Sequence, residues 1–131
     1  MDFLSVLLAA LASFAIGAVW YGVFAEPWMQ DVGMKKGPDG KPEGGQNPMM
    51  FAASYVMQLF VAGLMRHAFT TSGIETIWAG LISGLGIGLF FITPWIAMNN
   101  MYGMRPKRLT LIDGGYATVG CAAMGLVLTL F

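Results

Sequence analysis

Asp113 is the one acid set inside an otherwise apolar stretch, and its type and place carry the most chemistry in this sequence. Ionisable groups within a membrane span are rare because desolvating them is costly, and they mark binding sites, ion pathways or proton relays. Tyr116 follows one helical turn later. Tyr55, Gln58, Trp20, Trp95 and Asn99 fall at similar depth on other stretches. Together these residues would form a polar–aromatic pocket near one membrane boundary. A local reading of the same acid competes with this one. Thr110-Leu111-Ile112-Asp113 has the form of a capping box, whose acid satisfies backbone N–H groups and complements the helix dipole.

The remaining reactive residues offer less. Cys121 stands among Gly120, Ala122 and Ala123 with no second cysteine, and reads as a small packing residue. Arg66-His67 ends an apolar stretch, where cations suit the helix dipole and long side chains reach the interface. Met98, Met101 and Met104, with Met29, Met34, Met49 and Met50 on the same side, raise soft-metal chemistry. Flexible filling of apolar space explains these methionines more simply. No nucleophile triad, phosphate loop or zinc signature occurs, and Gly84-Leu85-Gly86-Ile87-Gly88 lies inside an apolar run rather than after a strand. No catalytic residue, metal or cofactor is expected.

The elements that must position these residues are set by four long charge-free stretches: 3–25, 49–65, 76–104 and 114–131 of the 131 residues. A bilayer core about 30 Å thick needs roughly 20 apolar residues per helix. The chain is 56% hydrophobic and 11% charged, against about 25% charged in soluble domains. The expectation is an all-α fold, a four-transmembrane-helix bundle forming one membrane domain over 1–131. Its helices are expected at about 3–24, 48–69, 73–98 and 111–131. Asp2 would sit near the first N-cap. Asn47-Pro48 supplies an N-cap and a first-turn proline for the second helix. Ser72-Gly73-Ile74-Glu75 has the form of a capping box for the third. Thr93-Pro94 should kink that helix. The Gly-, Pro- and Lys-rich stretch 30–47 is expected to be a mobile loop.

Lys35, Lys36, Lys41, Arg105, Lys107 and Arg108 fall on one side of the membrane and Arg66 on the other. The positive-inside rule then places both long loops in the cytoplasm and both termini outside. Trp20, Tyr21, Trp28, Trp95 and Tyr102 would line the inner boundary, and Trp78 the outer. Seven basic residues balance seven acidic ones, so nothing argues for a nucleic-acid partner.

Helices in lipid associate through close packing and polar contacts, which small residues at four-residue spacing permit. Gly80, Gly84 and Gly88 form such a stripe, as do Ala9, Ser13 and Gly17. The last helix carries two, Gly114-Thr118-Ala122 and Ala117-Cys121-Gly125. A compact bundle is expected, with the second of these stripes available to a homo-oligomer. Ala52-Ala53-Ser54-Tyr55 and Asp113-Gly114-Gly115-Tyr116 share a small-small-Tyr pattern, which raises a two-helix repeat.

The run Gly17-Ala18-Val19-Trp20-Tyr21-Gly22-Val23-Phe24, with Trp28-Met29 and Gly33, resembles the first-helix signature of the DUF1761 family. Leu111-Ile112-Asp113-Gly114-Gly115-Tyr116 with Gly125 is similar to that family's last helix, and Asn99-Asn100 before a short basic loop is also similar. The stretch 37–46 is more elaborate than the compact family loop. The resemblance implies a small bacterial four-helix membrane protein of unassigned function, placed in the inner membrane, and supplies no catalytic residues. The leading functional expectation is a non-enzymatic structural, accessory or binding component. Its partners would be the bilayer and a homo-oligomer or larger membrane complex. The alternative is a small transporter or channel subunit using the polar–aromatic site around Asp113.

Overall fold

A computed structural model describes residues 3–35, 37–38 and 47–131, and among these it is all-helical. Asp2, Lys36, Lys41 and half of the expected mobile loop lie outside the described residues. The helices are α1 (Phe3–Val23), α2 (Ala25–Val32), α3 (Pro48–Ser72), α4 (Ile77–Ile87), α5 (Thr93–Tyr102) and α6 (Lys107–Leu128). A π-helical turn, Gly88–Ile92, joins α4 to α5. Four spans are long and apolar enough to cross a membrane: α1, α3, the α4–α5 unit and α6.

Local chemistry sets the breaks. Pro27 has no N–H for the Val23 carbonyl, so α1 stops at Val23 and Pro27 falls in the first turn of α2, where that N–H is not needed. Gly33 then ends α2 in the left-handed conformation, φ 76°. The segment 25–32 is therefore a short helix, not a continuation of the first span or part of a loop. Gly73 does the same for α3 at φ 71°, with the Ile74 N–H on the Phe69 carbonyl.

Two of the expected capping boxes are corrected here. Ser72 is the last residue of α3, and Thr76 caps α4 by accepting from the Ala79 N–H at 3.1 Å. The pattern around Ser72 fails because Gly73 is needed to stop the preceding helix. The fourth span begins at Lys107 after Pro106, whose missing donor suits a helix start. Thr110 and Asp113 are thus inside α6, and Asp113 caps nothing. Asn47 does cap α3, accepting from the Met49 N–H at 2.9 Å.

The π-turn follows from Pro94, which cannot bond to Phe90. The Thr93 N–H reaches back five residues to the Gly88 carbonyl, and its hydroxyl lies 2.7 Å from the same oxygen. One residue is in effect inserted, rotating everything beyond it by about 100°.

α6 is the hub. It packs against α1 on one side and against the α4–α5 unit on the other. α3 packs on α1, touches α6 only slightly, and makes next to no contact with α4 although a short link joins the two. At the end away from Lys107, α1, α3 and α6 converge on an apolar cluster that includes Ala9, Ala62, Phe69, Met124 and Leu128. At the other end α3 is more loosely held: residues 48–54 are all exposed, and the Phe51 ring meets Phe14 of α1 edge-on.

Candidate functional site

The two sides of α6 are built from different chemistry. Toward α4 the contact is backbone on backbone. Gly80, Gly84 and Gly88 are buried, and a Cβ on them would overlap the carbonyl oxygens of Gly125, Cys121 and Ala117 respectively. These glycines are required by space, since no side chain fits between the helices. The Ala117-Cys121-Gly125 stripe, expected to be free for an oligomer, is therefore covered within the protomer by α4. The Gly114-Thr118 side is covered as well. Thr93 Oγ1 lies 3.0 Å from the Gly114 carbonyl, and a Cβ on Gly114 would come within 2.6 Å of the Thr93 methyl group.

Toward α1 the contact is polar and aromatic. The Trp20 indole donates to the Ile112 carbonyl at 2.9 Å, and Gly115 leaves room for its ring. The Tyr21 hydroxyl donates to Asp113 Oδ1 at 2.6 Å, and the Trp28 ring packs against Tyr21 beside it. The Tyr116 hydroxyl donates to the Ser13 carbonyl at 2.8 Å and accepts from Gln58 Nε2 at 3.0 Å. Gly17 provides the gap that admits Tyr116: a Cβ there would stand 2.6 Å from the phenol oxygen. Ser13 is the middle residue of α1, so this three-helix network lies near mid-span, with Asp113 nearer the basic end. Gln58 Oε1 is buried without a partner. The Tyr21 ring meets those of Tyr116 and Trp28 edge-on, at centroid distances of 5.4 and 5.9 Å.

α2 closes the basic end. Asp31 is bound in a fork by Arg108, through Nε at 2.9 Å and an Nη at 2.7 Å. The Asp31 side chain is only 4% exposed, and this arginine holds its carboxyl below the ordinary carboxylate value. Met29 of α2 and Leu109 of α6 are buried at the same junction.

Of the residues expected at the site, Asp113, Tyr116, Gln58 and Trp20 meet along the α1–α6 contact. Tyr55 lies further along, donating to the Leu7 carbonyl at 2.9 Å and packing edge-on to Phe14. Trp95 and Asn99 do not join: both are exposed on α5, which has no buried residue. Their depth is right, but the π-turn rotates α5 away. Of the residues expected to pack, Gly80, Gly84, Gly88 and Gly125 form the α4 contact, and Ser13 and Gly17 form the α1 contact.

Sequence reasoning missed Tyr21, Trp28, Asp31 and Arg108 as site residues. The signals were the proline at position 27 and the glycine at 33, which bracket α2 and fold Trp28 back toward α6. Tyr116 also departs from a two-helix repeat. Tyr55 of α3 bonds to α1, so a repeat would pair Tyr116 with α4, whereas it too bonds to α1.

A family described as "Protein of unknown function (DUF1761)" matches residues 4–129, nearly the whole chain. No curated protein and no solved structure matches. The segments 17–24 and 111–116, which carried the resemblance, are the two halves of one contact: Trp20 meets Ile112 and Gly115, Tyr21 meets Asp113, and Gly17 meets Tyr116.

Proposed function

Because the chain belongs to the DUF1761 family, whose function is unknown, we propose from its own geometry that it is a non-enzymatic membrane component acting through helix association with itself or another membrane protein. The observation that carries this reading is α3. Residues 48–54 are all exposed, with the Phe51 ring meeting Phe14 of α1 edge-on, and Phe60 and Leu64 further along are 74% and 70% exposed. Gly63 lies between them with nothing near enough to meet an added Cβ. Gly17, Gly80, Gly84, Gly88 and Gly125 serve close approach of helices, whereas Gly22 and Gly86, like Gly63, are open. An open glycine on a span that holds mainly to α1 suits an approach from outside. In this reading the protein lies in the bacterial inner membrane, with both termini extracytoplasmic, as the six-to-one Lys/Arg asymmetry favours.

A transporter or channel reading has less support. The polar groups run from the basic end to mid-span, and beyond them the described core between α1, α3 and α6 is mainly apolar, with the buried Ser5 meeting Arg66 near the far end. The test is cysteine crosslinking in native membranes at Phe60→Cys and Leu64→Cys, with Phe91→Cys on the π-turn as control. Cys121 is buried and contributes little background. Adducts at α3 and none at position 91 are expected. Monomer alone at both α3 positions overturns the association reading.

A further inference from the structure

We infer that Asp113 and the aromatic rings around it form a binding site for a small organic cation, an amine or quaternary ammonium. This does not depend on whether the chain associates with a partner.

The first observation is an unmatched charge. Asp113 is half-buried in a membrane span, and its partner there is a neutral donor, the Tyr21 hydroxyl. Among the described residues no lysine or arginine pairs with it. Arg108, the basic residue nearest in sequence, is held by Asp31, with its Nη2 also 3.4 Å from the Pro27 carbonyl and from Gln30 Oε1. Neutral donors stabilise a desolvated carboxylate only in part, and a second charge of opposite sign is what such a site lacks.

The second observation is the wall. Tyr21 reaches the carboxylate through its hydroxyl, and the Trp28 ring packs edge-on to the Tyr21 ring. Tyr116 packs edge-on to Tyr21 one turn deeper, and Trp20, next to Tyr21 on α1, bonds to the Ile112 carbonyl. Aromatic rings attract cations through their quadrupole, more strongly where water is excluded. A single carboxylate flanked by rings suits a large, weakly hydrated cation. It is poor for a metal ion, which needs several oxygen or nitrogen ligands, and the described residues contain no cluster of three His, Cys, Asp or Glu that would supply them.

The third observation is access. Asp113 lies in the second turn of α6, near the polar end of the span, and α2, which carries Trp28, is a separate eight-residue helix hinged at Phe24. A cation reaching the interface needs to pass only this short element.

The test uses the full chain in lipid nanodiscs and two probes of equal shape: benzyltrimethylammonium, and its uncharged carbon isostere neopentylbenzene. Tryptophan fluorescence and melting temperature are followed against probe concentration. A saturable response to the ammonium and none to the isostere is expected. Asp113→Asn should weaken the ammonium response by about tenfold or more, and Trp28→Leu by about threefold, the ring having the smaller part. Asp113→Glu should retain it. No saturable response in the parent chain, an equal response to the isostere, or an Asp113→Asn affinity within twofold of the parent each overturns the site. Should Asp113→Asn fail to fold, Trp28→Leu decides: an unchanged affinity in that variant also overturns it.

Discussion

α6 has two working sides, and they hold their neighbours by opposite means. Toward α4 it offers the absence of side chains: Gly80 and Gly84 of α4 and Gly88 at the start of the π-turn lie directly on its backbone. Toward α1 and α2 it offers directed groups: Trp20, Tyr21 and Tyr116 each donate to a named oxygen across the contact, and Trp28 packs on Tyr21. The glycine contact tolerates nothing larger, because its limit is backbone that cannot move aside. The polar contact tolerates loss of a bond, because neighbouring donors remain and the rings still fill the space. The first side fixes distance, and the second fixes rotation and register.

The sharpest way to break the comparison is steric. Gly84→Leu and Gly88→Leu place a branched side chain against the Cys121 and Ala117 carbonyls. Each should destabilise by about 3 kcal/mol or more, at the upper end for overpacking. Leu81→Ala, on the same helix but half-buried, should lose distinctly less. Thermal unfolding in mild detergent measures this, and unchanged melting in both leucine variants would mean that α4 does not sit on α6.

A smaller loss belongs to the polar side. Tyr116→Phe removes the donor to Ser13 and the acceptor for Gln58 while keeping the ring. The expected cost is about 1 kcal/mol, in line with hydrogen bonds inside membrane proteins. A loss as large as that of Gly84→Leu would erase the distinction between the two sides.

Asp113→Asn should cost less again, within about 1 kcal/mol, since the amide oxygen still accepts from Tyr21. The same variant loses the negative charge, so its stability and its cation response should separate.

The mildest effect is one of pH on α2. Arg108 lowers the Asp31 carboxyl below its ordinary 3.8, so the clasp is fully present above that value and weakens only as pH falls through the lowered one. Amide protection factors over residues 25–32, corrected for the intrinsic pH dependence of exchange, should be unchanged between pH 7 and pH 5 and fall only below about pH 3.8. Loosening of α2 already at pH 5 would place its anchor elsewhere.

Much of this was legible from residue spacing. Four apolar stretches gave four spans because bilayer thickness leaves little choice of length. Glycines four apart gave a stripe because the helical period puts them on one face. What spacing does not carry is the partner of a face. The stripe through Ala117, Cys121 and Gly125 reads equally well as an oligomer contact or an internal one, and only the path of α4 decides between them. Trp95 and Asn99 had the right depth but the wrong direction, because depth depends on residue count whereas direction depends on an unbroken helical period. Pro94 signalled a disturbance without saying that it would take the form of an inserted residue. Asp113 looked like a cap because Thr110 stands three residues before it, whereas Pro106 had already started the helix.

α6 is also the last of the four spans to emerge during synthesis. α1 and α4 do not pack on one another, so neither glycine nor aromatic contact has its counterpart until α6 enters the bilayer. Until then α1 and α3 hold each other alone, and the α4–α5 unit waits with its glycine face turned to lipid. Assembly is thus a final act in which one incoming helix locks two independent parts, and chains stopped before residue 107 would remain as loose spans open to quality-control proteolysis.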